Sequence, residues 1–245
     1  MTFEIKQTTA LGNHLLEALP QSDLNRLKPW LERVYFEPGQ IIYEPNQRID
    51  YVFFPISSVI LVLYFMESGA TAAVNVVGND GMVGIAPLIG AGTVPNEAVV
   101  QCPGEAFKIR YWQLQREFKR GGVLQALTLR FMMAMLDQTS QIAACNRLHS
   151  IEKQFCRWLL LTHDRLDSDV ILITHDLISK MLGASRESVT LITKKLKQRK
   201  LIENARGIIT IIDRPSLEAA TCECYQRISI EYNRLLSRGI SRTFK

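Results

Sequence analysis

The chain has 245 residues, 47% apolar and 22% charged, enough for two globular domains with their own cores and too balanced for a disordered or fibrous protein. Its net charge of +5 is unevenly placed: residues 150–245 hold 17 Lys and Arg against 11 Asp and Glu, whereas residues 1–149 hold 12 against 13. That asymmetry favours two domains and predicts a polyanion as partner of the second half only. The first twenty residues lack a basic segment followed by an apolar one, and the most apolar window, Val52–Met66, is too short and too interrupted to span a bilayer. A cytoplasmic location with no membrane contact is the resulting expectation.

From Leu15 to Leu31 apolar residues recur at helical spacing, interrupted at Pro20 with Ser22 as a cap, which predicts two short helices. After Tyr35 the pattern becomes short apolar runs separated by turn signals at Pro38-Gly39, Pro45-Asn46, Ser68-Gly69, Asn79-Asp80-Gly81 and Pro103-Gly104. Strands so spaced predict an antiparallel sandwich or roll. Gly121-Gly122 then break the chain before a long helix. Leu124, Leu127, Phe131, Met135, Gln138 and Ile142 trace one seam along it, expected to pair with a second copy, while Leu129, Met132 and Met133 are expected to lie on the roll. Residues 150–165 read as the first helix of the next domain, with Phe155, Trp158, Leu159 and Leu161 as core.

The stretch from Thr174 to Ile212 carries the most information. Thr174 is a candidate cap for a helix whose stripe is Leu177, Ile178, Met181 and Leu182. Gly183 supplies a tight turn, and Ser185 caps a second helix starting at Arg186. Val189, Ile192, Thr193 and Leu196 face inward there, leaving Arg186, Lys194, Lys195, Lys197, Arg199 and Lys200 outside. The helix runs into LIENARGIITII, alternating apolar residues around a basic hairpin tip at Arg206. Two helices at this spacing, the second basic and followed by a hairpin, are the reading head of a winged helix-turn-helix, so duplex DNA is the expected partner. Asp213–Ser237 is predicted as one amphipathic helix through Leu217, Ala220, Cys224, Ile228 and Leu235, with a Pro-Ser start.

The cysteines, 102, 145, 156, 222 and 224, are odd in number and lack CxxC spacing, which speaks against disulfides and against a zinc or iron–sulfur site. On one helix Cys222 and Cys224 would point about 200° apart and could not share a metal. Cys145 and His149 would share a helical face and are read as packing residues, with a haem or redox role as the alternative. No metal and no cofactor are expected, and no nucleophile–base or paired-carboxylate constellation suggests an enzyme.

With these elements in place the chain resembles the Crp/Fnr family of bacterial transcription regulators over nearly its whole length, most closely at ITHDLISKMLGASRESVTLITKKLKQRKLI, where the Gly-x-Ser-Arg-Glu-x-Val core is intact. The resemblance implies an α+β fold: an N-terminal antiparallel β-roll of cyclic-nucleotide-binding type, a jelly roll with flanking helices, over 1–120; a long dimerisation helix over 121–149; and a C-terminal winged helix-turn-helix domain over 150–245. It implies a homodimer on a palindromic operator, with RNA polymerase as a further partner. Ser185, Arg186, Glu187, Thr190, Leu191, Lys194, Lys195, Lys197 and Arg206 become the candidate DNA contacts, with Arg186 on a guanine edge and Glu187 accepting from a cytosine amine. Leu191 departs from the arginine usual at the third reading position, leaving Thr190 or Lys194 to contribute. In the roll, Ile85 follows Gly84 where a ribose-binding glutamate is expected, and Asn96-Glu97 replace the phosphate-binding Arg-Ser pair. Thr139 and Ser140 match a purine-contacting Thr-Ser pair, and the cysteine cluster of Fnr-type iron–sulfur sensors is missing. A roll that has lost its nucleotide chemistry is the expectation, with a cyclic-nucleotide-responsive regulator as the alternative.

Overall fold

A computed structural model describes residues 11–236. The chain begins with two short helices, α1 (His14–Glu17) and α2 (Gln21–Leu27). Asn13 caps α1 and its buried amide donates to the carbonyls of Pro55 and Gly81, at 2.8 and 2.9 Å. Ser22 does not cap α2, which starts one residue earlier behind Pro20; the fixed proline φ already sets the entry. Seven strands follow: β1 (Glu32–Phe36), β2 (Ile41–Tyr43), β3 (Tyr51–Pro55), β4 (Val59–Phe65), β5 (Thr71–Val77), β6 (Glu97–Cys102) and β7 (Gly104–Arg110). They form two antiparallel sheets, β1-β7-β3 and β2-β6-β4-β5, the roll expected from the turn spacing. The first five residues of β4, Val59 to Leu63, are all buried. Such a run without alternation marks a strand covered on both faces.

The covering comes from the rest of the chain. After α3 (Tyr111–Lys119), Gly121 and Gly122 both take positive φ and reset the direction for α4 (Gly122–Leu148). The helix lies along β5, but on the side opposite to the one expected. Leu124, Leu127, Phe131, Gln138 and Ile142 are buried within the chain, whereas Leu129, Met133 and Leu136 are 47, 53 and 58% exposed. Two features fix this choice. Phe131 fills the space over Gly81, where a Cβ would come within 2.6 Å of its ring. Gln138, an odd residue in an apolar seam, donates to the side chain of Asn75 and to the Val76 carbonyl.

Ser150 caps α5 (Ile151–His163), whose Phe155 and Trp158 rings stack at 5.9 Å. A short strand not expected from the sequence pattern, β8 (Val170–Leu172), leads to α6 (His175–Leu182) and α7 (Arg186–Gln198). The hairpin β9 (Ile202–Ala205) and β10 (Ile208–Ile211) joins β8 in an antiparallel sheet ordered β8-β10-β9. This second half packs on the roll: α6 lies over β5, and β8 approaches β6, with Gln101 reaching Thr162 at 3.5 Å.

The predicted last helix is two: α8 (Arg214–Ala220), capped by Asp213, and α9 (Glu223–Leu236), separated at Thr221-Cys222. Thr221 is extended, and its hydroxyl donates to the Lys153 carbonyl. The predicted end at Ser237 lies outside the described residues. This break overturns the geometric objection to a shared site for Cys222 and Cys224. Cys222 precedes α9, Cys224 is in its first turn, and both sulfurs meet Cys145 and His149.

One buried cation ties the layers together. Arg165, just past α5, makes two contacts with the carboxylate of Asp80 at 2.7 and 3.0 Å. It also donates to the Gln138 side chain at 3.1 Å and to the Leu161 carbonyl at 2.7 Å, and lies over the Tyr232 ring at 5.2 Å. Gly78 leaves room for its stem, since a Cβ there would sit 2.5 Å from that of Arg165. Removing one partner of such a pair strands a charge in the interior. Asp80→Ala is expected to cost about 3 kcal/mol in urea unfolding, and Asp80→Ala with Arg165→Met should recover most of it. A single-variant loss below about 1 kcal/mol, the ordinary value of a surface pair, would contradict this role.

Candidate nucleic-acid interface

The helix pair is set by local chemistry. The Thr174 hydroxyl accepts from the Leu177 amide at 3.2 Å and starts α6. Gly183 ends it in the left-handed region, φ 59°, and the Ser185 hydroxyl accepts from the Ser188 amide at 3.2 Å to start α7. Ile178, Met181, Val189, Thr193 and Leu196 are buried, so both stripes face inward as expected, and the Thr193 hydroxyl is satisfied by the Val189 carbonyl.

At 100° per residue, burying Val189 and Thr193 turns Glu187, Leu191, Lys194 and Gln198 outward together. All four are exposed, Leu191 at 68%. Gln198 was not singled out from the sequence, although the same periodicity places it. Thr190 flanks this face, its hydroxyl donating to the Arg186 carbonyl at 2.8 Å. Glu187 stays ionised: its own backbone amide and the Ser185 hydroxyl hold its carboxyl below the usual value.

The cations differ in ways that composition does not show. Arg186 pairs with Asp176 on α6, whose carboxyl is held low by Lys180 and by Arg186 itself. Lys195 and Arg199 both reach Glu152 at the start of α5, at 2.5 and 3.0 Å, and Lys197 meets Glu203 on β9 at 2.6 Å. Lys194 and Arg206 have no ion pair among the described residues. All the pairs sit at the surface, where each is worth about 1 kcal/mol or less and yields readily to a phosphate. Arg206 and Gly207 form a two-residue turn with φ 49° and 81°, the primed geometry that a tight hairpin requires. A non-glycine residue there is held against its preference, and its side chain projects from the tip. Arg206, Thr174, His175 and Asn204 line one open cleft beside the start of α6, with Asn204 and the His175 ring 3.0 Å apart.

The roll positions are also occupied by local contacts. The Tyr43 hydroxyl donates to the side-chain oxygen of Asn96 at 3.0 Å, and the Asn96 side-chain amide donates to the Tyr64 hydroxyl at 3.4 Å. Glu97 opens β6, and burial, with Glu44 nearby, pushes its carboxyl up. Thr139 and Ser140 point apart. The Thr139 hydroxyl accepts from Asn75 at 3.0 Å and donates to the Met135 carbonyl at 2.9 Å, while Ser140 is exposed and donates to Leu136.

Residues 33–120 match the cyclic nucleotide-binding domain, and residues 153–220 match the Crp-like helix-turn-helix domain. No curated protein matches the chain. Among solved structures it is similar to a putative transcriptional regulator of the Crp/Fnr family from Eubacterium rectale, with 18% identity, 87% of this chain and 97% of that one covered, and a TM-score of 0.65. FixK2 from Bradyrhizobium japonicum is similar at 11% identity, 78% and 98% coverage and a TM-score of 0.67. So is a transcriptional regulator of the CRP family from Thermus thermophilus, at 17%, 77% and 95%, and 0.62. These likenesses are of fold, while the two domain matches together span more than half of the sequence. No helix among the described residues is long and apolar enough to cross a membrane. A roll of this type joined through a long helix to a Crp-like helix-turn-helix makes the chain a member of the Crp/Fnr family of transcription regulators.

Proposed function

We propose that the protein is a cytoplasmic, non-enzymatic regulator that binds a palindromic DNA site as a homodimer, with a roll that no longer binds a cyclic nucleotide. The reading rests on the outer face of α7, where Glu187, Leu191, Lys194 and Gln198 are exposed while Val189, Thr193 and Leu196 are buried. In the major groove Arg186, released from Asp176, donates to the two acceptors of a guanine edge. Glu187 accepts from a cytosine amine, and Leu191 packs on a thymine methyl. Thr190 and Lys194 border these contacts. Ser185 offers its end of α7 to the backbone, and Lys195, Lys197 and Arg206 exchange surface carboxylates or water for phosphates. RNA polymerase is the further partner that this type of regulator implies.

The dimer reading rests on the outward stripe of α4. Leu129, Met133, Leu136, Ser140, Ala143 and Arg147 alternate in steps of four and three, a 3.5-residue period, and are exposed. Two copies packed along it would set their reading helices about 34 Å apart, one turn of duplex. Loss of nucleotide binding is supported by three positions: Ile85 is apolar, Asn96 is held by Tyr43 and Tyr64, and Glu97 brings a carboxylate where a phosphate would need a donor. Thr139 is likewise engaged with Asn75.

Arg186→Ala should cost about 1–3 kcal/mol at its own base pair and relax selectivity there; an unchanged preference in competition binding would remove that assignment. Leu136→Arg should give monomers in sedimentation, with DNA binding weakened at least tenfold, and a surviving dimer would place the interface elsewhere. Calorimetry with cyclic AMP and cyclic GMP should show no heat of binding; saturable binding of either would restore the nucleotide-responsive reading.

A further inference from the structure

Four potential ligands, separated by up to 79 positions in sequence, meet where the end of α4 faces the break between α8 and α9. The sulfurs of Cys145, Cys222 and Cys224 and a ring nitrogen of His149 all lie within 4.8 Å of one another. Cys145 and Cys222 sulfurs are 3.5 Å apart, and Cys224 sulfur is 3.5 Å from His149 Nδ1. Four ligands on a tetrahedral zinc ion, with bonds of about 2.3 Å to sulfur and 2.0–2.1 Å to nitrogen, stand about 3.5–3.8 Å from each other. The same sulfur separation is far from the ~2.05 Å of a disulfide. All three cysteines are buried, and the histidine is mostly so.

Polar and charged groups surround these four residues. His149 presents Nδ1 to the sulfurs and Nε2 to the Glu223 carboxylate at 3.4 Å, the arrangement that orients a metal-bound histidine. Gln141 donates its amide to the Cys224 sulfur at 3.1 Å. Arg157, buried beside the cysteines, has two guanidinium nitrogens, Nε and Nη1, without a hydrogen-bond partner among the described residues, while Nη2 donates to the Asn146 side chain at 3.4 Å. A buried cation next to neutral thiols is costly. Three thiolates around a divalent ion carry one net negative charge, which balances it.

We propose that Cys145, His149, Cys222 and Cys224 form a closed, four-coordinate site for a zinc-class divalent ion that fastens the C-terminal segment to the end of the long helix. Binding forms three metal–sulfur bonds and one metal–nitrogen bond, and the three thiol protons pass to solvent. With every position filled by protein, the ion is structural, and it holds α9 against the helix proposed to join the dimer.

The test uses the full-length protein after removal of any affinity tag. Elemental analysis should find one zinc per chain. Cobalt replacing it should give the thiolate-to-metal absorption and intense visible bands of a tetrahedral sulfur site. Cys222→Ser should lower metal content at least tenfold, whereas Cys102→Ser, at a buried thiol in the roll, should keep it. Glu223→Gln, at an exposed position, should keep the cobalt spectrum and weaken zinc in chelator competition by about tenfold or more. Absence of metal together with no thiolate band on adding cobalt would overturn the site, as would metal unaffected by Cys222→Ser or a purified chain carrying a Cys145–Cys222 disulfide. Because the cobalt spectrum and the chelator competition need no DNA, their outcome is independent of the proposed DNA reading.

Discussion

The buried guanidinium of Arg165 lies where the two halves of this protein meet. Arg165 belongs to the DNA-binding half, yet its carboxylate partner is in the roll, its amide partner is on the long helix, and the last helix covers it with Tyr232. A charge so placed is tolerable only while every one of these contacts persists. It therefore acts less as a source of stability than as a constraint on arrangement: the head sits where Arg165 can reach Asp80. That position buries α6 toward β5 and turns α7 to solvent.

Gln138 extends the constraint into the roll. Its oxygen accepts from Arg165 and its nitrogen donates into β5, at Asn75 and Val76, and Asn75 in turn holds Thr139. Roll, long helix and head are thus joined by one hydrogen-bonded chain of polar groups. A signal that altered β5 or the pitch of α4 would act on the head only by favouring a second arrangement with its own set of partners for these groups. The metal site proposed at the other end of α4 would brace the same helix from the C-terminal side.

What could be read from the sequence was whatever local chemistry determines. The caps at Thr174 and Ser185, the glycine between the helices and the inward stripes of α6 and α7 depend on neighbours within four residues, and all appear as expected. The turn signals likewise gave the roll. Contacts between distant residues were less legible. Periodicity revealed that α4 has two apolar sides but could not say which one meets the roll, because the deciding features are Gly81 and the partners of Gln138. The ion pairs of Arg186, Lys195 and Lys197 reach other elements and do not show in a charge count. Cys145 and Cys222 are 77 residues apart, and their meeting required a helix break at Thr221 that a continuous amphipathic pattern concealed.

The outward face of α7, used in pairs, is the proposed reader of duplex DNA. Selection of bound duplexes from a randomised library, using the unmodified protein, tests it most directly. Enrichment of an inverted repeat whose half-sites are centred about 10–10.5 base pairs apart, lost at high salt, is the expected result. Recovery of no motif, or of a single unrepeated one bound equally well by monomers, would contradict it.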